Sequence, residues 1–142
     1  MTPLEKNEDG QYILTPEFLY AWVDALRSGK YEKGTQALCR GSMDHKRYCC
    51  LGVAADIIDP TGWEAPAEDG IHDEFQWEKR AAYLTNVAGH PVVTGLPAGF
   101  QSALATINDQ SATFDTVIKA IVARYNLEWD ENGNPIMEVV EL

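Results

Sequence analysis

Cys39, Cys49, Cys50 and His45 are the side chains of this sequence whose types and spacing come closest to covalent or metal chemistry. Cys49 and Cys50 open an apolar run, with His45, Lys46 and Arg47 just upstream. A cysteine at a helix start beside cations has its thiolate stabilised, as a nucleophile requires. Packing is the competing use, since free cysteine is among the most buried residue types and behaves as a small apolar group. The run that follows, Leu51-Gly52-Val53-Ala54-Ala55-Asp56-Ile57-Ile58, is apolar almost all round, so packing is preferred and no catalytic residue is assigned. A zinc site built from Cys39, Cys49 or Cys50 and His45 has suitable donors but lacks the C-x2-C pairing, so no metal and no cofactor is expected. His72 and His90 stand alone and read as surface or loop histidines.

Charge offers the better leads. Residues 27–47 hold Arg27, Lys30, Lys33, Arg40, Lys46 and Arg47 against Glu32 and Asp44, a local +4 in a chain whose net charge is −11. Arg40, Lys46 and Arg47 are expected to converge on the start of the helix that follows, with Gly52 permitting close approach. Guanidinium groups and unpaired helix N–H groups would then form a pocket for a small anion such as a nucleotide phosphate. A solvated loop is the plainer reading of the same residues. Glu64, Glu68, Asp69, Asp73, Glu74 and Glu78 lie among Trp63, Phe75 and Trp77, an acidic segment with aromatic anchors. Glu68, Asp69, Asp73, Glu74 and Trp77 are the candidate contacts for a partner protein; a solubilising surface is the alternative. The overall negative charge argues against binding duplex nucleic acid, whose affinity rests on Lys and Arg displacing counterions.

The elements that must position these groups follow from patterning. At 142 residues the chain suits one domain, 1–142, and no linker or repeat divides it. After Asp9-Gly10, residues 11–14 suit a short strand. Thr15-Pro16-Glu17 reads as cap, first-turn proline and first-turn acid, and the spacing of Phe18, Leu19, Trp22, Val23 and Leu26 predicts a helix over 16–28, stopped by Gly29. Residues 29–48 lack periodicity, with 36–39 the candidate strand. A buried central helix is expected over 48–58. Pro97 opens a third helix carrying Phe100, Leu104 and Ile107, halted at Asn108-Asp109-Gln110. Thr113 caps a fourth, with Phe114, Val117, Ile118, Ile121, Val122 and Tyr125 in one stripe. Asn132-Gly133 between Leu127-Glu128-Trp129 and Ile136–Val140 predicts a C-terminal β-hairpin. The class is therefore α+β: about four helices around the buried one, with short antiparallel strands.

No apolar run reaches the roughly 20 residues that span a bilayer, and the opening MTPLEKNEDG lacks a basic and then apolar leader pattern. Neither membrane insertion nor secretion is expected. Three cysteines, two adjacent, fit no even disulfide framework and suit free thiols in a reducing compartment.

Four pieces, Ala25-Leu26-Arg27-Ser28-Gly29-Lys30-Tyr31, Tyr48-Cys49-Cys50-Leu51-Gly52-Val53, Leu104-Ala105-Thr106-Ile107-Asn108-Asp109 and Thr113-Phe114, resemble a family of small uncharacterised proteins met widely in tailed-phage genomes. The resemblance covers roughly residues 16–125, and the Cys-Cys-Leu-Gly-Val piece is its most specific part. It implies a phage accessory protein acting in the cytoplasm of the infected bacterium, and supplies no activity. Ala55 stands where many relatives carry a further cysteine, which weakens a metal site. The Cys49-Cys50 helix start is also loosely similar to papain-like hydrolases, with His90 as partner. It lacks their Asp-Cys-Ser-Gly, however, and Pro91 follows the histidine. The leading expectation is a non-enzymatic binder of a host protein through the acidic face. A nucleotide- or anion-sequestering protein using the basic loop, and a cysteine hydrolase or transferase, are the alternatives.

Overall fold

The computed structural model describes residues 5–6, 12–34, 39–42, 45–58, 63–64, 75–79, 84–87, 90–93 and 96–142. Strand β1 (Glu5–Lys6) pairs with β2 (Tyr12–Ile13) and leads into α1 (Pro16–Arg27). Thr15 Oγ1 accepts from the Phe18 N–H at 3.1 Å, satisfying one of the N–H groups a helix start leaves open. Gly29, at φ +81°, turns the chain away just past the last helical turn, a conformation that suits a residue without Cβ. The predicted limits of this element agree with its observed ones to within a residue.

Strands β3 (Cys39–Ser42) and β4 (His45–Tyr48) run antiparallel, with Cys39 opposite Tyr48 and Arg40 opposite Arg47. Helix α2 (Cys50–Ile58) follows directly. The expected helix over 48–58 is thus corrected at its start: Tyr48 ends a strand and Cys49 precedes the first turn. Local pattern could not show this, because Tyr48 and Cys49 fit either element and strand pairing decided the matter. Strands β5 (Trp63–Glu64), β6 (Phe75–Lys79), β7 (Leu84–Val87) and β8 (His90–Val93) come next, with β6 pairing to β3 and β5, and β7 to β8. Three of the four residues of the expected strand over 36–39 lie outside the described residues; Cys39 begins β3.

Helices α3 (Ala98–Gln110) and α4 (Asp115–Tyr125) complete a core of four helices. α1 packs on α2 and α4, and α3 on α2 and α4. Phe18, Leu19, Trp22 and Val23 of α1 meet Cys50 and Val53 of α2, Leu104 of α3, and Val117 and Ile121 of α4 with no exposure at all. Burying each large apolar chain contributes about 1.5–3 kcal/mol. α3 ends at Gln110, the last residue of the expected Asn108-Asp109-Gln110 stop, with Ser111 as its C-cap.

The predicted C-terminal β-hairpin does not form. A single antiparallel bridge joins Trp129 to Pro135, and Met137–Val139 is a 3-10 turn. Asp130 explains why: its carboxylate accepts from the N–H groups of Asn132 and Asn134, both at 2.9 Å. That compact loop replaces the two-residue turn that paired strands would need. Among the described residues, no helix is long and apolar enough to cross a membrane.

Candidate functional site

The motif pieces meet where the segment after α1 reaches the start of α2. Gly34 N–H donates to the Tyr48 carbonyl at 2.7 Å, and Tyr48 N–H to the Glu32 carbonyl at 2.8 Å, forming a parallel bridge. A Cβ on Gly34 would lie 3.0 Å from Arg47 Cβ and 3.1 Å from its carbonyl carbon, so only glycine lets the two backbones come this close. Asn108, fully buried on α3, closes the junction. Its Oδ1 accepts from Cys50 N–H at 3.1 Å and its Nδ2 donates to the Gly34 carbonyl at 2.9 Å. Trp22 Nε1 donates to the Cys50 carbonyl at 2.9 Å. Side chains of α1 and α3 therefore hold α2 by the two backbone groups of one residue.

The thiols lie inside this arrangement. Cys49 Sγ accepts from Gly52 N–H at 3.3 Å, acting as the cap of α2, and Cys50 Sγ donates to the Leu104 carbonyl at 3.7 Å. Cys49 is 6% exposed and Cys50 fully covered, and Cys39 is buried as well; all three are free thiols. Burial pushes the Cys49 thiol up to about 11, against a smaller downward pull from the Gly52 and Leu51 N–H groups, and it holds Cys50 well above the ordinary range. Desolvation outweighs the helix-start effect that would have made a nucleophile.

A half-buried polar cluster borders the junction. Tyr31 donates to Asp56 Oδ2 at 2.5 Å, and its ring meets Tyr48 edge-on at 5.1 Å between centroids. Burial first, then the Asp56 carboxylate, raises the Tyr31 hydroxyl above its usual pKa; the same two causes, in that order, raise Tyr48. Both phenols therefore stay protonated at neutral pH, and Tyr31 donates its proton to Asp56. Lys46 and Arg47 are half-buried beside Tyr48 on β4. Two phenols, a carboxylate and two cations in neighbouring positions could hydrogen-bond a polar ligand.

The sequence-predicted anion residues divide here. Arg40 and Arg47 are cross-strand partners, and Lys46 pairs with Gly41, so the hairpin register brings these positions side by side. The Gly52 N–H is taken by Cys49 Sγ and that of Cys50 by Asn108, so these two donors at the α2 start are already paired inside the protein. Of the candidate partner contacts, Glu68, Asp69, Asp73 and Glu74 lie outside the described residues, and Trp77 is placed only as the β3 partner of Cys39. Among the described residues, no group of three or more His, Cys, Asp or Glu is arranged to hold a metal ion.

Sequence reasoning missed Asn108, Trp22 and Gly34. Asn108 had a usable signal, since it lies four residues after Leu104 on the apolar stripe of α3, where a polar residue needs buried partners. The model of a domain of unknown function, DUF8296, matches residues 15–125. The chain belongs to this family. No curated protein and no solved structure matches the chain. The DUF8296 match ends at the last residue of α4 and so takes in the whole helical core and the junction, leaving residues 126–142 beyond it.

Proposed function

We propose that this DUF8296 protein is a non-enzymatic accessory or counter-defence protein, encoded by a phage and acting in the bacterial cytoplasm, that binds a host protein through its acidic segment. The phage origin rests on the four motif pieces quoted above. The observation that carries the binder reading is the covering of both vicinal thiols, with Asn108 and Cys49 pairing the N–H groups at the α2 start. A net charge of −11, with the acids of residues 64–78 among Trp63, Phe75 and Trp77, supports an electrostatic contact with a basic partner. The α+β class belongs to the same proposal, supported by the antiparallel pairs β3–β4 and β7–β8.

Affinity capture from bacterial lysate at low and moderate salt tests it. A specific protein should be retained by the native chain and lost when Glu68, Asp69, Asp73 and Glu74 are changed together to Lys. Recovery of no such protein at either salt overturns the reading. The cysteine-hydrolase alternative is tested by brief iodoacetamide treatment of the folded protein, where alkylation of Cys49 or Cys50 at neutral pH would favour it. The nucleotide- or anion-binding alternative is favoured by Lys46 and Arg47 half-buried beside Tyr48. Nucleotide-dependent thermal shifts that vanish in Arg47→Glu would support it.

A further inference from the structure

Lysines gather around the Tyr31–Tyr48 pair. Lys30, Lys33 and Lys46 are half of the six lysines in a chain whose net charge is −11, and each borders one of these two rings. Lys30 Nζ lies 5.7 Å from the centre of the Tyr31 ring, within reach of a cation–π contact. Lys33 is the parallel-bridge partner of Tyr48. Lys46 stands two residues before Tyr48 on β4, and therefore on the same side of the strand, about 7 Å along it. Against these three ammonium groups stands one carboxylate, Asp56, whose Oδ2 accepts from the Tyr31 hydroxyl at 2.5 Å.

Extended backbone alternates its sides, so Glu32 and Arg47, the neighbours of Lys33 and Tyr48, belong to the opposite side. The 3.0 Å approach of a Gly34 Cβ to Arg47 Cβ agrees, since Gly34 is also one residue from Lys33. The Tyr31–Tyr48 side thus has a chemistry of its own: two half-buried phenol rings edge-on at 5.1 Å, a half-buried carboxylate and three lysines. Aromatic rings hold a planar base by stacking, and ammonium groups hold phosphate as point charges. A carboxylate accepts from hydroxyls such as those of a ribose. One class of small molecule presents all three parts together, the nucleoside polyphosphates.

We propose that the Tyr31–Tyr48 side of the junction binds a nucleoside triphosphate, with its base on the two rings, its phosphates on Lys30, Lys33 and Lys46, and its ribose against Asp56. The proposal rests on the nucleotide-binding reading and gives it a place, on the side of β4 away from Arg47. It uses no acid of the 64–78 segment, so failure to capture a host protein leaves it standing.

The test is isothermal titration of the full-length chain with ATP, GTP, CTP and UTP, each beside its own nucleoside and beside inorganic tripolyphosphate. At least one triphosphate should bind saturably, about tenfold or more tighter than tripolyphosphate or its nucleoside, because rings and lysines act on one linked ligand. Raising NaCl from about 0.05 M to about 0.3 M should weaken that binding, as the ammonium contacts are screened. Lys30→Glu combined with Lys33→Glu should weaken it about tenfold or more, and so should Tyr31→Leu, whereas Arg47→Glu should change it by about threefold at most. Should the charge-reversed chain lose its helical circular dichroism, Lys30→Gln with Lys33→Gln gives the same comparison. Silence of all four triphosphates overturns this proposal together with the nucleotide reading. Tripolyphosphate binding as tightly as every triphosphate overturns it by leaving the rings without a role. Loss of binding in Arg47→Glu with full binding in the lysine variants overturns this proposal alone and returns the ligand to the arginine side.

Discussion

Two regions of this protein fasten chain segments with a few polar groups, and they differ in what surrounds those groups. At the α2 junction, Asn108 and Trp22 bind the backbone of Cys50 and Gly34 with no exposure of either side chain. At the C-terminal strap, residues 127–140, the hydroxyl of the buried Tyr20 binds main-chain groups of the exposed Glu128 and the half-buried Ile136, beside an exposed Arg27–Asp24 pair at 2.7 Å. The bond lengths are similar, so geometry does not separate the two. Cover of the partners does: main-chain groups orphaned in the core find no water, whereas those of an exposed segment are rehydrated. The junction should thus behave as part of the cooperative core and the strap as a unit that opens by itself.

The sharpest way to break this contrast is Asn108→Leu. It strands the Cys50 N–H and the Gly34 carbonyl, and should cost about 4 kcal/mol in urea unfolding, two buried groups at roughly 1–3 kcal/mol each. A loss below about 1 kcal/mol would place the junction in the same class as the strap. Gly34→Ala comes next, at about 2 kcal/mol, because the new methyl meets Arg47 backbone that cannot swing aside. Tyr20→Phe should cost about 1.5 kcal/mol globally. Its distinguishing sign is faster hydrogen exchange at Glu128 and Ile136 while the α2 amides stay protected; loss of protection in both places would refute the independence of the strap.

Alkaline pH tests the junction without mutation. The folded Cys49 thiol, at about 11, lies above its ordinary value of 9.0, so the folded state holds its proton longer than the unfolded chain. Stability from this group is complete below pH 9 and falls as pH rises toward 11, by about 1 kcal/mol at pH 10. Unfolding midpoints for the native chain and for Cys49→Ala should converge across that window. The smallest effect expected is that of Arg27→Ala, about 0.5 kcal/mol for a half-exposed pair and ring contact. It should appear in strap exchange before it appears in global stability.

Patterning alone was sufficient for the helices. Thr15-Pro16-Glu17 with apolar spacing places α1 to within a residue, and the stripes of α3 and α4 are equally plain, because periodic burial of one face is a local property of the chain. The apolar run expected as a helix over 48–58 likewise announces α2, covered on most sides, though the helix starts two residues later. The sequence also determined the charge imbalance and the shortage of zinc-type cysteine pairing.

Tertiary structure decided the rest. Asn108 reads as a helix stop until Cys50 and Gly34, 58 and 74 residues away, are seen to occupy its two ends. Whether a helix-start cysteine is reactive depends on a balance between the local field of the helix and cover from distant segments, and here cover prevails. Asn132-Gly133 codes for a turn, and the pairing beyond it stops at one bridge; Tyr20, 108 residues before Glu128, binds the Glu128 N–H and shares its carbonyl with the Ile136 N–H. Local residues set what a segment prefers, and the partners it meets across the fold set which of its hydrogen-bonding groups remain available for function.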